Sequence, residues 1–195
     1  MSSLFRQSSG ERRDKFERLA MPLAKSLYNV AKRWTGLEDA GDLVQETYLR
    51  AYRTFDNFKE GTNCKAWLFT IMRSVFVNEY RKGLRQPNPV SVEDLEERFM
   101  QCLGASNQDH HLKLIQELGL DWDGSEWEQA LSRLPESFRS AVLLVDVEEL
   151  TYEEAAQVIS CPVGTLRSRL FRGRKALFLE LESYASRSSA IKEPK

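Results

Sequence analysis

Neither of the short metal-binding spacings, CxxC and HExxH, occurs in these 195 residues, and cysteine is scarce: Cys64, Cys102 and Cys161. Three widely separated cysteines argue against a disulfide framework and suit a reducing compartment, where they serve as small apolar side chains. The pair His110-His111 has no partner at ligand spacing, so no metal and no cofactor is expected. Long hydrophobic runs are missing too. With no stretch of about 18 apolar residues, and no apolar core of a signal peptide in Met1 to Gly10, the expectation is a cytoplasmic chain without membrane insertion. A charge imbalance is also absent. The 28 Lys+Arg nearly cancel the 29 Asp+Glu, for a formal net charge of −1, so any hold on nucleic acid has to come from local patches. Repeats, paired carboxylates, a nucleophile with its base and a glycine-rich phosphate loop are lacking, and an enzyme is not expected.

What is present is helical periodicity, most informatively from Leu150 to Lys175. Thr151 with Glu154 three residues later is a capping-box pattern, which predicts a helix start; Ala155, Ala156, Val158 and Ile159 carry it to Ser160. Pro162 suits the first turn of a second helix, because its missing N–H would have no intrahelical partner there. At about 100° per residue, Leu166, Leu170 and Leu177 share one side of that helix, while Gly164, Ser168, Phe171, Arg172 and Lys175 face the other. Five cations (Arg167, Arg169, Arg172, Arg174 and Lys175) follow an acidic segment with Asp146, Glu148, Glu149, Glu153 and Glu154. A charge run by itself is usually a solvated face. Here cap, turn, leucine stripe and exposed aromatic agree on a helix-turn-helix, whose second helix fits the major groove of DNA.

Together with Leu134-Pro135-Glu136-Ser137-Phe138-Arg139, this stretch resembles region 4 of the extracytoplasmic-function sigma factors, sigma-70 family proteins that direct bacterial RNA polymerase to promoters. The run Cys161-Pro162-Val163-Gly164-Thr165-Leu166-Arg167-Ser168-Arg169-Leu170 carries the likeness. The resemblance implies that Thr165, Arg167, Ser168, Arg169, Phe171, Arg172 and Lys175 contact the minus-35 element.

The first half has the same periodicity. Phe16, Leu19, Leu23, Leu27 and Val30 mark one amphipathic helix from Asp14, begun or kinked at Pro22; residues 1–13 are expected to be a flexible tail. A second helix spans Asp39 to Phe55, with Val44, Tyr48, Ala51 and Phe55 on one face and Asp42, Glu46, Leu49, Arg50 and Arg53 on the opposite one. Leu49, an apolar residue among charges, is either a scattered surface leucine or an anchor with a polar rim. The segment Asp42-Leu43-Val44-Gln45-Glu46-Thr47-Tyr48-Leu49-Arg50-Ala51-Tyr52 is similar to sigma region 2.2. That likeness implies that Asp42, Gln45, Glu46, Leu49 and Arg50 bind the clamp helices of the polymerase β′ subunit.

A loop from Asp56 to Asn63 follows, and then a helix from Lys65 to Arg85, apolar over most of its circumference and basic at its far end. By resemblance these are regions 2.3 and 2.4, which open the minus-ten element by drawing a non-template base from the stack. Phe58, Thr62 and Asn63 are the residues implied for that base, and Arg73, Asn78, Arg81, Lys82 and Arg85 for the strand. Trp67 reads as core. Cys64 stands where many relatives have phenylalanine, and Ser74 where asparagine commonly follows the arginine.

Residues 86–124 lose periodicity and turn acidic, which predicts a linker after Pro87 and Pro89. Trp127, Ala130, Leu131 and Leu134 then form a helical stripe, Ser137 to Val147 another helix, and the last helix continues to about Tyr184, with 185–195 as a flexible tail. The fold expected is all-α, with one small helical domain at 14–85 and a second at 125–184. The rival is a conventional helix-turn-helix regulator, such as a response regulator, but a receiver domain needs alternating strands and helices where 14–85 has helical period throughout. The partners implied are core RNA polymerase, through the β′ clamp helices and the β flap, promoter DNA, and an anti-sigma factor.

Overall fold

The computed structural model describes the backbone of residues 2–35, 38–83 and 125–191, and the side chains of residues 10–35, 38–78 and 126–183. The expected acidic linker, 86–124, lies outside the described residues, as do Arg85 and the side chains of Arg81 and Lys82. Among the described residues every regular element is a helix and there is no strand. The described residues divide into two compact units, one within 2–83 together with Glu153–Ser160, the other within 125–152 and 161–191.

The first unit contains α1 (Ser2–Ala20), a 3-10 turn (Met21–Leu23), α2 (Ala24–Thr35), α3 (Ala40–Arg53), a second 3-10 turn (Phe55–Asn57) and α4 (Cys64–Gly83). Pro22 has no N–H for an i→i−4 bond, and the chain tightens into the 3-10 turn at that residue. Residues 2–13, expected as a tail, instead form the first part of α1. No proline precedes Pro22 to break the helix, and its described end is held by tertiary bonds from Arg12 and Lys15 and by the buried ring of Phe16.

The helices α2, α3 and α4 pack mutually. Leu27, Val30, Ala31 and Trp34 of α2, with Leu68, Phe69, Met72, Val75 and Phe76 of α4, are buried there. On α3 the buried line is Ala40, Leu43, Thr47 and Ala51; of the expected face Ala51 and Phe55 are buried, whereas Val44 and Tyr48 are half-buried at its edge. Thr47 is tolerated inside because its hydroxyl donates to the Leu43 carbonyl at 2.7 Å, so no polar atom is left unpaired. A hydrophobicity pattern scores threonine as polar and misplaces the stripe.

The second half has α5 (Ser125–Arg133), α6 (Glu136–Val142), a π-helical turn (Leu143–Val147), α7 (Tyr152–Val158) and α8 (Val163–Ile191). The expected stripe of Trp127, Ala130, Leu131 and Leu134 is buried, as are Leu166, Leu170 and Leu177. The helix expected over Ser137–Val147 widens at its end, where Glu148 N–H donates to the Leu143 carbonyl at 2.9 Å, five residues back. α8 packs on α5 and α6, and Gly173 sets the approach to α6: a Cβ there would lie 2.9 Å from Val142 Cγ2 and 3.1 Å from the Phe138 carbonyl oxygen. α8 also runs past the expected end near Tyr184 to Ile191, since no glycine or proline follows Gly173 until Pro194.

Candidate nucleic-acid and protein interfaces

The turn between α7 and α8 is set by the backbone. Ser160 adopts a left-handed φ of 54°, and the Leu166 N–H donates to the Pro162 carbonyl at 3.0 Å. Pro162 is therefore the residue just before α8 rather than inside its first turn, and Val163 begins the helix. Gly164, Arg167 and Ser168 are exposed and Thr165, Phe171 and Arg172 half-buried, all in the first three turns. Arg167 holds its guanidinium 5.5 Å from the centre of the Tyr152 ring, a cation–π contact that orients it while leaving it accessible.

Lys175 does not belong to that face. It is only 4% exposed, although it projects opposite the leucines, because from Lys175 to Phe178 four consecutive residues are buried and the helix is covered on all sides. Periodicity presumes one wet side, and that ends at Gly173. Arg174 is likewise committed inward, bonded twice to Asp146. Burial opposes the charge on Arg174, but the hydrogen bond and charge of Asp146 outweigh it and raise its pKa. Arg169 is half-buried on the flank of the leucine stripe. Of the five expected cations, Arg167 and Arg172 remain for a ligand on the outward face.

On α3 the expected outward face is present. Asp42, Gln45 and Leu49 are exposed, and Leu49 keeps 45% of its surface in water. Beside it Arg50 Nε donates to Glu46 Oε1 at 2.6 Å, one turn apart. Such a pair adds little to stability but forms a charged rim around an apolar centre. Periodicity had singled out neither Met21 nor Tyr28, the other large apolar side chains exposed among the described residues.

The loop before α4 is more ordered than its composition suggests. Phe58 stacks on Phe55 (centroids 5.9 Å apart, planes 7° from parallel) and lies 5.1 Å from Trp67. Trp67 is half-buried in this aromatic group rather than fully core. Gly61 takes φ +82°, which favours glycine, and Thr62 donates to the Lys59 carbonyl at 2.6 Å. Asn63 caps α4: its Oδ1 accepts the Lys65 N–H at 3.0 Å. Both Thr62 and Asn63 stay exposed, so their remaining polar atoms are available to a ligand. Along α4, Asn78 is exposed, whereas Arg73 is half-buried with its guanidinium 5.6 Å from the Trp34 ring centre and 5.5 Å from that of Phe76. Cys64 at the start of α4 is half-buried, and burial pushes its thiol pKa up.

Residues 19–86 match the family model for sigma-70 region 2, and residues 125–177 that for sigma-70 region 4. The sigma factor EcfG of Rhodopseudomonas palustris is 40% identical over 139 residues, which span 71% of this chain and 68% of that one. The chain belongs to the extracytoplasmic-function RNA polymerase sigma factors. Another such factor, SigE of Mycolicibacterium smegmatis, is 32% identical over 89% of this chain and 64% of its own. Among solved structures, the sigma factor RpoE from Bartonella quintana, crystallised with the anti-sigma factor NepR, matches at TM-score 0.65 and 29% identity, over 86% of this chain and 97% of that one. CnrH, solved with the cytosolic domain of CnrY, shares the fold at TM-score 0.59 and 21% identity, over 91% and 94%. As a sigma factor the chain serves transcription initiation, with region 4 supplying its helix-turn-helix. No described helix is long and apolar enough to cross a membrane.

Proposed function

We propose that this extracytoplasmic-function sigma factor divides its work between residues 14–85, which bind core polymerase and open the minus-ten element, and residues 125–184, which read the minus-35 element and engage the β flap. The observation that carries this reading is Leu49, an exposed leucine on a helix whose other outward residues are polar, with the Glu46–Arg50 pair at its edge. An apolar centre with a charged rim is the composition of a protein-binding hot spot, and it fits the β′ clamp helices. Asp42 and Gln45 extend the same face.

Phe58, Thr62 and Asn63 form the base-capturing loop, with Arg73, Asn78, Arg81, Lys82 and Arg85 along the strand. Extracting a base costs a few kcal/mol, which stacking and backbone charge can offset. On α8 the reading set is Thr165, Arg167, Ser168 and Arg172, with Phe171 at its edge. Neither DNA surface is large, and a chain of net charge −1 has little general affinity for DNA. Holding both surfaces on one polymerase raises the effective concentration of each. The sigma factor supplies selection and the polymerase the chemistry, so the chain itself is not an enzyme, and it works in the cytoplasm. An anti-sigma factor that covers these faces is a further partner, as NepR is for RpoE.

The test is run-off transcription on genomic DNA with purified core polymerase, with and without the protein. Defined start sites should appear only with it; an unchanged transcript pattern would refute the proposal.

A further inference from the structure

The match to the sigma-70 region 2 family begins at residue 19, yet the densest set of polar contacts from α1 lies before that point. Arg12 Nε donates to Asp56 Oδ1 at 2.9 Å, its Nη2 to the Tyr52 carbonyl at 2.7 Å, and its guanidinium carbon lies 4.8 Å from the Tyr52 ring centre. Tyr52 is in the last turn of α3, where the carbonyls share the single Thr54 N–H, so Arg12 adds a capping donor from another helix. One turn on, Lys15 donates to Glu60. Phe16 is edge-on to Tyr48, Tyr52 and Phe55, at 6.3, 5.2 and 5.2 Å between centroids. Phe55 in turn is the ring on which Phe58 stacks.

These contacts take hold of one segment at separate points: the end of α3, the 3-10 turn at Asp56, and Glu60 beside Gly61, where the loop reverses. Beyond Glu60 the chain presents exposed Thr62 and Asn63. We propose that Arg12 and Lys15 are positioning residues for promoter opening, bracing the 56–63 loop in the conformation that receives the extruded minus-ten base. The inference rests on the assignment of that loop to base capture. A loop free to move has to be ordered each time a base enters, and that entropy is subtracted from the binding free energy. Bracing from α1 removes the cost before DNA arrives. The Arg12–Asp56 and Lys15–Glu60 bonds are exposed and contribute little to global stability, and with the part-buried Arg12 bond to the Tyr52 carbonyl their influence falls on the local order of the loop.

The experiment uses the full-length protein with core polymerase and follows open-complex formation on a duplex promoter and on the same promoter with a pre-melted minus-ten bubble. Arg12→Ala with Lys15→Ala should slow opening of the duplex by roughly three- to tenfold, with core binding and melting temperature unchanged. The defect should be smaller on the pre-melted template. Lys15→Glu alone should slow opening, and Glu60→Lys in the same chain should restore it. Unchanged opening in the Arg12 and Lys15 variants, with Phe58→Ala impaired, would overturn the brace and leave the base-capturing loop standing. If Phe58→Ala and Thr62→Ala also open normally, the loop assignment fails and takes the brace with it. A defect accompanied by a lowered melting temperature and not restored by the charge swap would mark Arg12 and Lys15 as general structural residues, and would also overturn the proposal.

Discussion

Arg174 holds Asp146 through two parallel bonds, Nε to Oδ2 at 3.0 Å and Nη2 to Oδ1 at 2.5 Å, with each side chain only 19% exposed. The contact joins α8 to the π-helical turn 28 residues earlier and commits one cation of the basic run to the interior of this half. Arg174→Ala should lower stability by about 1 to 2 kcal/mol, between the values for exposed and fully buried pairs, while base preference at the minus-35 element stays as it was. Arg174 stays charged at any workable pH, because Asp146 raises an already high pKa. The part of the stability that comes from this raised pKa is therefore present below the unfolded pKa and lost as pH rises through the folded one. Chemical denaturation beside promoter selection assays checks both parts.

Arg167→Ala and Arg172→Ala should do the reverse. Each is expected to lose about 1 to 3 kcal/mol of minus-35 recognition if it meets a base edge, with folding and polymerase binding retained. Lys175→Ala, from the same basic run, should show no loss of base discrimination in a competition assay with mutant promoters. A changed base preference there would restore it to the reading face.

Gly173→Ala forces a methyl group to within 2.9 Å of Val142 Cγ2 and 3.1 Å of a carbonyl oxygen that is part of α6 and cannot swing away. Overpacking of that kind should cost about 1 to 3 kcal/mol. Gly164→Ala meets nothing within 4 Å and should be neutral or stabilising by less than about 1 kcal/mol. Comparing the two melting temperatures isolates close packing from helix propensity.

Leu49→Asp should abolish binding to core polymerase without unfolding α3, since the side chain faces water and not the α2–α3–α4 core. A pull-down with core enzyme and a circular dichroism spectrum decide it. Survival of binding would remove Leu49 from the interface.

Cys64 is expected to react slowly with iodoacetamide. Burial raises its pKa above the ordinary thiol value, so the nucleophilic thiolate is rarer than in a free cysteine at neutral pH. A raised folded-state pKa also means that stability is retained below the unfolded pKa and eroded as pH climbs past it. Alkylation followed by mass spectrometry, in buffer and in urea, should show labelling of Cys64 accelerate on unfolding.

The one-dimensional order of residues was enough for whatever depends on local periodicity and on short motifs. The all-helical class, the break at Pro22, the leucine stripe of α8 and the outward Leu49 follow from spacing that neighbouring residues carry with them, and the sigma family from the resemblance carried by two short motifs. Contacts between distant residues decided the rest. Arg12 reaches 44 positions along the chain to Asp56, and that bond joins α1 to a segment far beyond it where a tail was expected. Thr47 is core because a backbone carbonyl one turn away accepts its hydroxyl, and Lys175 is buried because α8 is covered on its second side past Gly173. Periodicity knows the angle at which a side chain leaves its helix, but only packing determines what stands there to meet it.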